Sequence, residues 1–116
     1  MTDRELLEAA AKAAGIEIEW DGSTQQPVMI DEHGRRIGWW NPLMSDGTAL
    51  RLAVKLGISV EQDPEVAEVS TAFVVGRIGY NTTESYGPLR DGSQDDPCAA
   101  TRRAIVRAAA AMAEED

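Results

Sequence analysis

Thr2-Asp3-Arg4-Glu5-Leu6-Leu7-Glu8-Ala9-Ala10-Ala11-Lys12-Ala13-Ala14-Gly15-Ile16-Glu17-Ile18-Glu19-Trp20 changes its hydrophobic period at one residue, and that change decides the fold class. Before Gly15, the apolar residues Leu6, Leu7, Ala10, Ala11 and Ala14 recur at three- and four-residue steps, the stripe of an amphipathic helix. Thr2 and Glu5 have the spacing of a capping box, in which the threonine oxygen takes an orphan amide and the glutamate reaches back to the cap residue. Gly15 sits where a left-handed residue would close the helix. Beyond it Ile16, Ile18 and Trp20 alternate with Glu17 and Glu19, the period-2 signature of a strand with one buried face. A capped helix running directly into a half-buried strand makes the chain a mixed α and β protein.

Working outward, Asp21-Gly22-Ser23 turns the chain and Pro27-Val28-Met29-Ile30 is a second candidate strand. Asp31-Glu32-His33-Gly34 has turn chemistry, and Ile37-Gly38-Trp39-Trp40 predicts a third strand stopped by Asn41-Pro42. Ser45 or Asp46 caps a second helix with Ala49, Leu52, Ala53 and Leu56 on one stripe and Gly57 at its end. Ile58 to Gln62 predicts a short strand interrupted by Pro64, and a β-rich run follows between Val66 and Tyr80, with Gly76 and Gly79 marking a bulge or turn. The polar, glycine-containing stretch 81–96 predicts a loop, with a short strand near Ser85-Tyr86 as the alternative. Asp96 then caps, and Pro97 opens, a last helix on which Cys98, Thr101, Ile105, Ala108, Ala109 and Met112 share one side. Its acidic end, Glu114-Glu115-Asp116, opposes the helix dipole and predicts a frayed tail. The expected architecture is a single α+β domain over 1–116: a three-layer helix/sheet/helix sandwich of order roughly αββαββα with a mostly antiparallel sheet. Both terminal helices are expected to bury their alanine faces.

Two stretches carry a family resemblance. Asn41-Pro42-Leu43 with Asp46-Gly47-Thr48-Ala49-Leu50-Arg51-Leu52-Ala53-Val54-Lys55-Leu56-Gly57 is the first, and Asp96-Pro97-Cys98-Ala99-Ala100-Thr101-Arg102-Arg103-Ala104-Ile105-Val106-Arg107-Ala108-Ala109 is the second. Together they resemble the phage ABA-sandwich domain, found in small proteins of tailed phages and prophages. Arg4 to Glu8 and Ala13-Ala14-Gly15 are similar too, whereas 58–95 matches only loosely. The resemblance implies helices on both faces of a sheet and a phage or prophage origin, and it implies no biochemical activity.

Composition narrows the function classes. The chain has 116 residues, 43% of them apolar and 27% charged, which suits one packed soluble domain. No apolar run approaches the roughly 20 residues of a membrane span, and Met1-Thr2-Asp3-Arg4-Glu5 is charged where a signal peptide would turn apolar. Residence in a cytoplasm, here the host's, is the expectation. One cysteine, Cys98, and one histidine, His33, cannot form a disulfide or a Cys/His zinc set, so any metal would need carboxylates alone; no metal site and no cofactor are assigned. Eleven Lys and Arg against twenty Asp and Glu leave a charge of −9, which disfavours direct nucleic-acid binding. The same acidity serves solubility or, alternatively, mimics an acidic partner of a basic protein.

The candidate binding residues are Trp39, Trp40, Asn41, Arg103 and Arg107. Successive strand residues face opposite ways, so one tryptophan of Trp39-Trp40 either emerges as an anchor for a partner or is covered by a further layer that buries both rings, with Asn41 tying the next turn. Arg51 with Lys55 and Arg103 with Arg107 are i,i+4 basic pairs that either hold an anion or pair with surface carboxylates. His33 is expected to be an exposed loop residue, and Cys98, on the apolar stripe, a buried inert thiol. No residue set has the spacing of a nucleophile and its base. The leading expectation is therefore a non-enzymatic phage or prophage accessory protein that binds a host or phage protein. The alternative is a small-ligand binder sequestering an anionic metabolite or signalling nucleotide through the helix arginines and a tryptophan. Self-association as a homodimer is weighed against a monomer whose edges are blunted by Pro27, Pro64 and the glutamates of the first strand.

Overall fold

Each helix begins and ends where its own side chains satisfy the backbone groups that a helix leaves orphaned. The computed structural model describes residues 2–65, 68–75, 78–85 and 96–115. Helix α1 spans Asp3–Ala14: Thr2 Oγ1 accepts from the Glu5 N–H at 3.1 Å and the Thr2 N–H donates to Glu5 Oε1 at 3.3 Å, which completes the capping box. Helix α2 spans Asp46–Leu56 and is capped by Ser45, whose Oγ accepts from the Thr48 N–H at 3.2 Å. Gly15 and Gly57 both take φ of 69°, the left-handed closure expected of them, and no β-carbon could sit there without strain. Helix α3 spans Pro97–Glu115, with Asp96 Oδ1 accepting from the Cys98 N–H at 2.8 Å. Asp116, the end of the expected frayed tail, lies outside the described residues.

Among the described residues the strands form two antiparallel sheets of three. In the first, β1 (Ile18–Asp21), β2 (Gln26–Ile30) and β3 (Arg36–Trp39) lie in chain order, with Trp20 opposite Pro27 and Val28 opposite Trp39. In the second, β4 (Ser59–Asp63), β5 (Glu68–Val75) and β6 (Ile78–Ser85) follow the same meander. The element order is αβββαβββα, one strand more in each half than the expected outline. The extra strand of the second half corrects the loop expected over 81–96, because residues 81–85 belong to β6. Polar residues there pair across the sheet rather than turn the chain: Thr82 and Thr83 stand opposite Thr71 and Ser70, and the Thr71 and Thr82 hydroxyls hydrogen-bond. A polar edge strand has no apolar alternation to reveal it. Gly79 lies within β6 opposite Val74, while Gly76 is outside the described residues. Pro27 is likewise no edge device. It lies in the central strand β2, fully buried, and its carbonyl accepts from the Trp40 N–H at 3.1 Å.

The core gathers where the helices meet. Helix α3 packs against α1, α2, β5 and β6, and buries Ile105, Val106, Ala108 and Ala109. Leu6, Leu7, Ala10, Ala11 and Ala14 of α1 join the same cluster, so the alanine faces of both terminal helices are buried as expected. Alanine matters here because a side chain of one carbon lets two helix backbones approach closely. Phe73 and Tyr80, opposite each other on β5 and β6, stack with ring centroids 5.1 Å apart. Ile18, Trp20 and Met29 close the cluster from the first sheet, with the Arg4 guanidinium 4.7 Å from the centre of the Trp20 ring. Among the described residues, no helix is long and apolar enough to cross a membrane.

The turns of the first sheet are pinned by carboxylates. Asp31 accepts from the backbone N–H groups of Arg35 and His33 and from the Arg35 guanidinium. These bonds, that to the Arg35 backbone foremost, hold its carboxyl below the usual carboxylate range. Asp21 is lowered in the same direction by the hydroxyls of Thr24 and Ser23, with Arg36 adding to them. A carboxyl that holds its proton more weakly in the folded chain than in the unfolded one stabilises the fold fully above its unfolded value, about 3.9, and loses that contribution as pH falls toward the lower folded value. We therefore expect Asp31→Asn to flatten the acid-side loss of thermal stability below about pH 4, measured by circular dichroism melts. An unchanged slope would remove Asp31 from the acid transition.

Candidate functional site

Helix α2 is short, and one side of it is committed to the core. Thr48, Ala49, Leu52 and Ala53 are buried, so at about 100° per residue the opposite side must carry Leu50 and Val54, with Arg51 and Lys55 one step round. Leu50 is 63% exposed and Val54 74%. On the Leu50 side the surface falls into a groove of about 400 Å³ between α2, β4 and the start of α3. Its walls are mainly Ala49, Leu50, Val60, Cys98 and Ile105, with Asp46, Gln62 and Arg102 at polar positions. Gln62 Nε2 donates to Thr101 Oγ1 at 2.8 Å and ties β4 to α3 across the groove. Strand alternation puts Val60 and Gln62 on this side and turns Glu61 and Asp63 the other way. Ridge and groove form one apolar surface continuous through Leu50.

Charge is distributed unevenly around this surface. Arg102, largely buried, donates from Nε to the Leu43 carbonyl at 2.8 Å and pairs through its guanidinium with Asp46, so the one carboxylate of the groove is already engaged. Arg4, Arg35, Arg36, Arg103 and Arg107 also meet carboxylates. Among the described residues, Arg51 and Lys55 meet none, and the Arg51 guanidinium folds back over Gly47 toward Thr48 Oγ1 at 3.4 Å. The two i,i+4 basic pairs noted in the sequence thus part company. Arg103 binds Asp3 at 3.1 Å and Arg107 binds Glu84, as surface pairing requires, whereas the α2 pair stays open.

The other candidates lie apart, except that Trp39 and Trp40 both line one small hollow beside Arg51 and Lys55. Trp40 is buried in the core cluster, and Trp39, one residue earlier, is 58% exposed. Trp39 stands opposite Val28, which is buried yet outside the main cluster, so this pair lies on the sheet face turned away from the core. A layer covering both rings is therefore absent from the described residues. Asn41 Oδ1 accepts from the Leu43 N–H at 3.1 Å and shapes the turn into α2. The hollows beside Arg103 and Arg107 contain neither tryptophan. His33 is exposed, as expected. Cys98 is exposed too, which corrects the buried thiol expected from its stripe: it lies in the first turn of α3, ahead of the stretch from Ala104 onward that enters the core. Leu50 and Val54 were legible as apolar residues off the α2 stripe, but periodicity alone gave no reason to single them out. No family model matches the chain, and no curated protein or solved structure matches it significantly.

Proposed function

We propose that this chain is a non-enzymatic phage or prophage accessory protein that works in the host cytoplasm by binding a host or phage protein through the outer face of α2 and the adjoining groove. The observation that carries the binding role is the apolar surface itself: Leu50 and Val54 project into solvent beside a groove of about 400 Å³ whose exposed walls are mainly apolar. Contiguous exposed apolar surface of this kind marks interaction sites. The phage origin rests on the resemblance of 41–57 and 96–109 to the phage ABA-sandwich domain, and the three-layer helix/sheet/helix arrangement belongs to the same reading. A second reading, a small-ligand binder for an anionic metabolite or signalling nucleotide, draws on a hollow of about 180 Å³ lined by the exposed Trp39, Trp40, Leu52, Arg51 and Lys55 among others. It ranks second because it leaves Leu50, Val54 and the larger groove without a role.

The test is cross-linked capture from infected or lysogenic cells with the wild type, Val54→Asp and, as a control on a distant helix, Lys12→Glu. A partner recovered with wild type and Lys12→Glu, and reduced at least tenfold with Val54→Asp, is the expected result. Recovery indifferent to Val54→Asp would remove the α2 face from the interaction.

A further inference from the structure

The proposed surface also carries information about what covers it. The chain carries a net charge of −9, and the described arginines elsewhere are paired with carboxylates. Among the described residues Arg51 and Lys55, both exposed, are not; Lys12 of α1 is unpaired too, but it stands alone, whereas these two are neighbours on one helix face beside exposed apolar side chains. They stand one helical step from Leu50 and Val54 and share that spacing, so two cations run parallel to two apolar side chains along one helix face. The groove beyond Leu50 offers no competing acid, because Asp46 is held by Arg102.

We infer that the α2 face docks an acidic, apolar segment of another protein, with Leu50, Val54 and the groove taking its apolar side chains and Arg51 and Lys55 its carboxylates. The inference rests on the protein-binding reading above and adds the chemistry of the partner. Leu50 and Val54 supply desolvated contact area. Charge-assisted bonds from Arg51 and Lys55 fix the segment's register and exclude basic segments, a discrimination the rest of this acidic surface would reverse. A second copy of this chain is a different occupant, and so is an anionic membrane surface. Each has its own result below.

The experiment is selection of a displayed library of random dodecapeptides on the immobilised protein, followed by binding of the enriched peptides to Val54→Asp, Arg51→Glu/Lys55→Glu and Lys12→Glu, each checked for folding by circular dichroism. Expected are peptides rich in Asp or Glu beside apolar residues, unaffected by Lys12→Glu and weakened at least tenfold by each of the other two variants. Peptides that need Val54 but are neutral or basic, or that tolerate the double reversal, overturn the acidic partner and leave the protein-binding surface standing. No enrichment, or enrichment indifferent to Val54→Asp, overturns both. Light scattering is run alongside: a dimer dispersed by Val54→Asp puts a second copy on the face and overturns the inference. Co-sedimentation with phosphatidylserine vesicles, lost in the double reversal, overturns it in favour of a membrane surface.

Discussion

Replacing Trp40 by alanine is expected to lower the folding stability by about 3–5 kcal/mol, the range for deleting a large buried aromatic, whereas the same change at Trp39 costs about 1–2 kcal/mol from the smaller area it covers. The two residues are adjacent and chemically identical, so the difference isolates position. Trp40 is 4% exposed and packs within the central cluster with Ala49, Leu52 and Ile58. Deleting its ring removes transfer free energy and opens a cavity that the surrounding helices can only partly fill. Trp39 has solvent over most of its surface and lies opposite Val28 on the outer side of the first sheet. Domains of this kind are stable by only about 5–15 kcal/mol in all, so Trp40→Ala removes a large share of that margin and Trp39→Ala a small one. Urea unfolding followed by far-ultraviolet circular dichroism reads both. Equal losses at the two positions would contradict the placement of the rings.

Enlarging Ala109 to leucine is expected to destabilise the chain by about 1–3 kcal/mol, the usual cost of overpacking a filled interior. Helix propensity predicts almost no change, since leucine is nearly as good a helix former as alanine. The two forces can therefore be separated by sign and size. Ala109 is fully buried in the cluster that α3 forms with α1 and α2, and its neighbour Ala108 is equally inaccessible. Three added carbons must push α3 away from its supports or force a strained rotamer. Thermal melts at fixed pH test it. A melting temperature at or above that of the wild type would mean that the helices are held apart by something other than their alanines.

Local chemistry explains why so much of the framework was readable. Thr2, Ser45 and Asp96 cap helices because their oxygens reach amides a few residues on, and Gly15 and Gly57 end them because left-handed backbone is cheap only without a β-carbon. These interactions span two to five residues, so no knowledge of the rest of the chain was needed. Strand β6 was hidden for the opposite reason. Asn81-Thr82-Thr83-Glu84-Ser85 has loop composition, and only the partner strand β5, with Thr71 and Ser70 placed to meet it, makes it sheet. Cys98 was misplaced because a helical stripe says which side is apolar but not at which residue the helix enters the core.

The candidate site divides along the same line. That Trp39 and Trp40 face opposite ways if the strand runs through both, and that Arg51 and Lys55 share a side of α2, follow from backbone periods of two and 3.6 residues and could be read from the sequence alone. Which tryptophan is covered, which basic pair finds carboxylates, and whether Leu50 and Val54 meet a neighbour were decided by tertiary structure. Asp3 reaches Arg103 from one hundred residues away, and Glu84 reaches Arg107 from β6. Periodicity orients a side chain on its own element; burial and charge pairing depend on what the fold brings opposite it, and that is a property of distant segments packed together.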